Sequence, residues 1–159
     1  MEQSFKKKEK GSVSLKGIFR VLMEGGYYPT YEKTHISFEL EDNTAILEYE
    51  EGVLAVRLFF SIDENTYSIF LEASNSAMTG TTGVKPIVLD DHKTLMFSAE
   101  TMCDNMREFK KFFPRSIRNI KDTLVLHRHE MKALLQKSML YKDLYTHDDE
   151  YESAKKFCS

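Results

Sequence analysis

The sequence predicts an α+β protein in which an antiparallel sheet of five to six strands, a meander plus a hairpin, packs against an N-terminal helix and C-terminal helices. Three observations carry that expectation. Residues 36–62, ISFELEDNTAILEYEEGVLAVRLFFSI, read as three short strands separated by two turn dipeptides. Ahead of them Leu15, Ile18, Phe19, Leu22 and Met23 recur at i, i+3, i+4, i+7 and i+8, the spacing of one helix face. Behind them, from about Thr101, the apolar period lengthens again to Met102, Met106, Phe109 and Phe113.

Ser12 or Ser14 caps the first helix by accepting a bond from an orphan amide. Gly25-Gly26 supplies a left-handed residue that stops it near Glu24. Tyr27, Tyr28, Pro29 and Tyr31 then plug one end of the sheet with their hydroxyls toward water. In the first strand Ile36, Phe38 and Leu40 alternate with Ser37 and Glu39, which gives one dry and one wet face. Asp42-Asn43 and Glu51-Gly52 are the turns, because Asn and Gly accept positive φ at little steric cost. The third strand, Val53 to Phe60, is apolar except for Arg57 and is expected inside the sheet, covered on both faces.

After a turn at Asp63-Glu64-Asn65, Tyr67, Ile69 and Leu71 alternate with Ser68 and Glu72 as a fourth strand, with Phe70 toward its outer face. The stretch ASNSAMTGTTG, Ala73 to Gly83, reads as a small polar connection that fits neither a Walker loop nor a dinucleotide fingerprint. Val84, Ile87, Val88 and Leu89 form a fifth strand, placed at an edge or bulge by Pro86, which cannot donate to a ladder. Asp90-Asp91-His92-Lys93 turns the chain into a sixth strand, Thr94 to Ala99. Pro114 ends or kinks the following helix, or opens the next one. Ile117, Ile120, Leu124, Met131, Leu134 and Leu135 continue a helical stripe, while Arg115, Arg118, Lys121, Arg128 and Lys132 load the other side with charge.

Composition bounds the rest. A chain of 159 residues, 42% hydrophobic and 30% charged, suffices for one domain that buries roughly two-thirds of its unfolded surface. The expected division is a basic, flexible arm over 1–11, one domain over 12–136 and an acidic, mobile tail over 137–159. A net charge of −3 argues against a general nucleic-acid binder, which carries a basic footprint. No apolar run approaches the ~20 residues of a membrane span, and MEQSFKKKEKG has no hydrophobic core to act as a signal. Cytoplasmic localisation follows as the expectation, with Cys103 and Cys158 as reduced thiols.

This order of elements, together with EGGYYPTYEKTHISFELED, LAVRLFFSIDE and LEASNSAMTGTTGVKPIVLDDHKTLMFSAE, resembles the bacterial YbjN-like domain family, provisionally described as sensory-transduction regulators. The resemblance covers roughly Ser12 to Leu126. It implies the fold of type III secretion chaperones, with helices against one face of an antiparallel sheet. It also implies a tendency to form homodimers and a binding rather than a chemical role. The short Gly- and Thr-rich connection departs from the family, which carries a helical turn with apolar anchors there, and no functional residues transfer.

Residue chemistry points the same way. His127 and His129 lie about 200° apart on a helix, so they cannot ligate one metal from one face. His147-Asp148-Asp149-Glu150 lacks the glycine and spacing of a calcium loop. The expectation is therefore no catalytic, cofactor or metal residue, and a non-catalytic module that binds a protein or peptide segment in a chaperone-like or regulatory role. Its candidate partner-binding residues are Val53, Phe59 and Phe70 on the outer sheet face, and Arg115, Arg118, Lys121 and Arg128 on the basic helix. Two alternatives stand beside it. One is a small enzyme built on Asp90, His92 and Cys103, the thiol being activated near a helix start. The other is a nucleic-acid adaptor that uses the basic helix.

Overall fold

Two tight hairpins of the same kind set the meander. The structure, a computed structural model, describes residues 12–140; the arm over 1–11 and the chain from 141 onward, with Cys158 and the His147 cluster, lie outside the described residues. The elements run α1 (Leu15–Glu24), β1 (Thr30–Tyr31), β2 (Ile36–Leu40), β3 (Asn43–Glu50), β4 (Val53–Ser61), a 3-10 turn (Glu64–Thr66), α2 (Tyr67–Met78), β5 (Val84–Val88), β6 (Thr94–Met102) and α3 (Met106–Leu140). Glu51-Gly52 joins β3 to β4 with φ of 50° and 80°, the left-handed pair whose twist matches the flanking strands. The β2–β3 turn sits one residue earlier than expected, at Glu41-Asp42, with φ of 50° and 60°. Asn43 is instead the first residue of β3, its side-chain amide donating to the Glu41 carbonyl at 2.6 Å.

The six strands lie in the order β1-β2-β3-β4-β6-β5, each antiparallel to its neighbours. β4 and β5 both run antiparallel to β6 and so parallel to each other, with β6 inserted between them. Parallel strands cannot be joined by a hairpin and need a long crossover. α2 is that crossover, and this corrects the expected fourth strand and polar connection. Phe70, Ala73, Ser74 and Ala77 are its buried residues, an i, i+3, i+4, i+7 series. The alternation of Tyr67, Ile69 and Leu71 is incidental. The small residues of this stretch are a packing surface, since a Cβ at Gly80 would meet Leu126 Cδ2 at 2.8 Å.

Ser14 caps α1 through a 3.1 Å bond from the Gly17 amide, and Ile18 and Leu22 are its fully buried residues. Tyr27 packs edge-on to Phe38 and Phe113 at 5.7 and 5.4 Å, so it belongs to the core margin, whereas Tyr28 is 80% exposed. The expected pair of C-terminal helices is a single helix of 35 residues, with Pro114 inside it. Pro114 lies on the exposed side of the helix, so the bond it cannot donate to the Lys110 carbonyl is lost away from the core and the helix continues. α3 runs four residues past the expected domain boundary at 136.

Phe38, Leu47, Val56, Leu58, Leu95 and Phe97 from one face of the sheet join Ile18, Leu22, Phe70, Phe109, Ile120 and Met131 from the helices in one core. β4 is central, as its apolar run suggests, but it is covered on one face rather than two. Leu54, Val56 and Leu58 point into the core, and Val53, Ala55, Arg57 and Phe59 point away from it. No helix among the described residues is long and apolar enough to cross a membrane.

Candidate functional site

The face of the sheet turned away from the helices is organised by register into rows. Glu50, Val53 and Met102 form the first, at the Gly52 end. Glu48, Ala55 and Glu100 form the second. Ile46, Arg57, Ser98 and Lys85 form the third. Phe59, Met96 and Ile87 form the fourth. All of these point the same way because a strand alternates its side chains, and paired residues share a face.

Arg57 stands at the centre. Its guanidinium pairs with Glu48 on β3, and with Glu100 on β6 at 3.2 Å. Ser98 donates a further hydrogen bond to Glu100 at 3.3 Å. This three-strand bridge explains the single charge in β4, which sequence reasoning recorded only as an exception. It divides the face in two. Toward Gly52 lies a cleft of about 270 Å³ lined by Glu48, Glu50, Glu51, Val53 and Glu100. On the other side lies a groove of about 380 Å³ with an apolar floor of Ile87 and Met96, edged by Met78, Lys85 and Arg57. Ile46, Phe59, Ile87 and Met96 are half-buried and lie outside the core, and Met102 is 64% exposed. Together they make an apolar strip with charged borders.

Of the expected partner-binding residues, Val53 and Phe59 therefore lie on this face as anticipated. Phe70 does not. It sits on α2, is 2% exposed and faces the core. Ile46, Ile87 and Met96 were missed, although each follows from strand alternation once register is known. On α3, Arg115, Arg118 and Arg128 are exposed, while Lys121 is tied to Glu41 at 3.0 Å. The helix carries nine Lys and Arg against three acids, but its cations lie on the opposite side of the molecule from the sheet face.

The alternative catalytic set does not come together. Asp90 and His92 lie in the β5–β6 turn, where the His92 ring stacks on Tyr67 at 3.9 Å, and neighbouring Asp91 accepts amide bonds from Lys93 and Thr94. Cys103 follows the far end of β6, about 30 Å away for nine extended residues. It is also buried, and burial together with the negative charge of Glu108 pushes its thiol pKa up, away from the nucleophilic form. His127 faces the core while His129 is exposed, and among the described residues no group of three metal-ligating side chains converges.

The class of protein is thus an α+β domain with one helix-covered and one uncovered sheet face, built around a split β-α-β crossover. No protein-family model matches the chain, and no curated protein matches it. Among solved structures it resembles YbjN of E. coli, provisionally described as a transcription regulator, with 12% identity and a TM-score of 0.59 over 72% of this chain and 90% of that one. It also resembles an uncharacterised protein of Methanothermobacter thermautotrophicus, with 14% identity and a TM-score of 0.55 over 76% and 99%. The fold is YbjN-like, as the resemblance in the sequence implied.

Proposed function

We propose that this chain is a non-catalytic binding module, chaperone-like or regulatory, that takes an extended protein or peptide segment on its uncovered sheet face. The carrying observation is the row of Phe59, Met96 and Ile87, an apolar strip outside the core and bordered by Arg57 and Lys85. Such a surface offers apolar contact for alternate side chains of a client and a charged border to set its register. In this reading the module pairs as a homodimer, the tendency that the resemblance implies, and works in the cytoplasm, the compartment expected from the sequence.

The test places a photo-crosslinking benzoyl-phenylalanine at Phe59, at Met96 and, as a control, at Arg128 on the opposite side. Client adducts from positions 59 and 96 but not 128 support the reading. Adducts from 128 alone sink it. Nucleic-acid adducts from 128, weakened steeply by salt, would establish the adaptor reading in its place.

A further inference from the structure

The groove beside β5 carries a cation that the fold leaves unused. Lys85 is exposed, stands next to the apolar floor of Ile87 and Met96, and pairs with no carboxylate among the described residues. Arg57, the other cation of the groove, is already held by Glu48 and Glu100. The wall of the groove is fixed in advance. The Thr81 hydroxyl donates to the Val84 carbonyl at 2.7 Å, and Gly83 turns the chain into β5 with φ of 70°. Met78 at the rim and Met96 on the floor are unbranched thioethers, which adapt to apolar side chains of different shape.

The neighbouring sheet edge is closed to an added strand. The Leu89 amide donates to the Thr94 carbonyl at 2.9 Å, and bonded and non-bonded pairs alternate along an antiparallel ladder. Ile87 and Lys85 therefore turn their amides toward β6, while Val88, Pro86 and Val84 face outward. Proline has no amide, so the middle of that edge offers no donor. A client here is held by its side chains on the face, and not by main-chain pairing beside β5.

We propose that this groove takes an extended, acidic peptide segment in which a large apolar side chain and a side-chain carboxylate stand two residues apart. The apolar side chain lies on Ile87 and Met96, and the carboxylate meets Lys85. Lys85 and Ile87 are themselves two residues apart on β5, so the interval is about 7 Å on both partners. The sign agrees, since the groove is lined by two cations, Arg57 and Lys85, against one acid, Glu100. This rests on the reading of that face as a docking surface and adds the chemistry of its client.

The experiment titrates the isotope-labelled full chain with short synthetic peptides and follows its amide NMR signals. Each peptide sets Phe and Glu two residues apart, in either order, within a Thr and Ser frame. Analogues carry Gln or Lys in place of Glu, or place Glu directly beside Phe. In one of the two orders, the Glu peptide should bind about fivefold more tightly than its Gln analogue, the upper range for an exposed ion pair. The Lys analogue should be weaker still, and adjacent spacing should lose the gain because the carboxylate then points away from the sheet. Shifts should centre on Lys85, Ile87, Met96 and Ser98, and Lys85→Glu should reverse the ranking of the Glu and Lys peptides. Equal binding of Glu and Gln peptides overturns the proposal, as do an unchanged ranking in Lys85→Glu, shifts centred on Thr30 and Tyr31 at the opposite edge, or no binding by any peptide. Client adducts at positions 59 and 96 beside any of those results would keep the docking face and remove only this specificity.

Discussion

His127 Nε2 and Ser74 Oγ lie 3.0 Å apart in the joint between α3 and α2, both side chains fully closed off from water. The Phe97 ring packs edge-on to the imidazole at 5.4 Å, and Phe70 stacks on it at 6.3 Å. Burial in this apolar setting lowers the His127 pKa to about 4 from 6.5, only partly opposed by its hydrogen bond with the Phe70 backbone. A charge there would sit without solvation, so the folded protein holds the ring neutral.

The sign of the consequence is fixed by linkage. Between about pH 6.5 and 4 the unfolded chain takes up a proton that the folded chain refuses. The stabilisation is therefore complete above pH 6.5 and is lost as pH falls toward 4, to a limit of about 3 kcal/mol. Urea unfolding at pH 7 and pH 4.5 measures it. His127→Gln should lower stability at pH 7 and flatten the slope between those two values. A variant that keeps the wild-type slope would show that other groups carry it.

Phe70 and Phe59 separate the two readings of the middle of the chain. In the strand reading both face outward and both are dispensable. In the fold, Phe70 is 2% exposed within the core, so Phe70→Ala should cost about 3 to 5 kcal/mol. Phe59 is half-buried outside the core, and Phe59→Ala should cost about 1 kcal/mol or less. Equal losses in denaturant midpoint would contradict the assignment of α2.

The meander was legible because local signals and tertiary demands agree there: Ile36, Phe38 and Leu40 alternate, and Glu51-Gly52 closes a two-residue turn. The helix α1 was legible for the same reason, down to its cap at Ser14. α2 was not, because Ala73, Ser74, Ala77 and Gly80 are small for close approach to α3, and smallness reads locally as a loop. The parallel relation of β4 to β5, which demands a helix between them, exists only in the sheet order. The candidate face was half legible. Val53 and Phe59 announce themselves in an apolar run, whereas Arg57 gains its meaning only from Glu48 and Glu100 on two other strands.

Cys103 tests the closed end of the sheet. Its side chain is buried ahead of α3, and the Tyr49 hydroxyl donates to its carbonyl at 2.7 Å. With Cys158→Ser removing the other thiol, labelling of Cys103 at pH 8 should be slower than that of a free peptide thiol by at least about tenfold, since both access and thiolate fraction are reduced. Added urea should accelerate it by opening the site. Prompt labelling in native buffer would mean that this end opens readily and that the thiol is reactive after all.

Pro114 is the ninth residue of α3 and lies on its exposed side, between the buried Phe113 and the buried Ile117. Its ring removes the bond that residue 114 would donate to the Lys110 carbonyl, a position where proline costs about 3 kcal/mol against alanine. Part of that cost is offset, since proline also restricts the unfolded chain by up to about 1 kcal/mol. Pro114→Ala should therefore stabilise the protein by about 2 kcal/mol, read as a higher urea midpoint with an unchanged slope. A loss of stability would carry a different meaning. It would show that the helix must bend at this point for Phe109 and Phe113 to reach Tyr27 and Phe38 while Leu124 and Met131 stay in the same core, with proline selecting that bend.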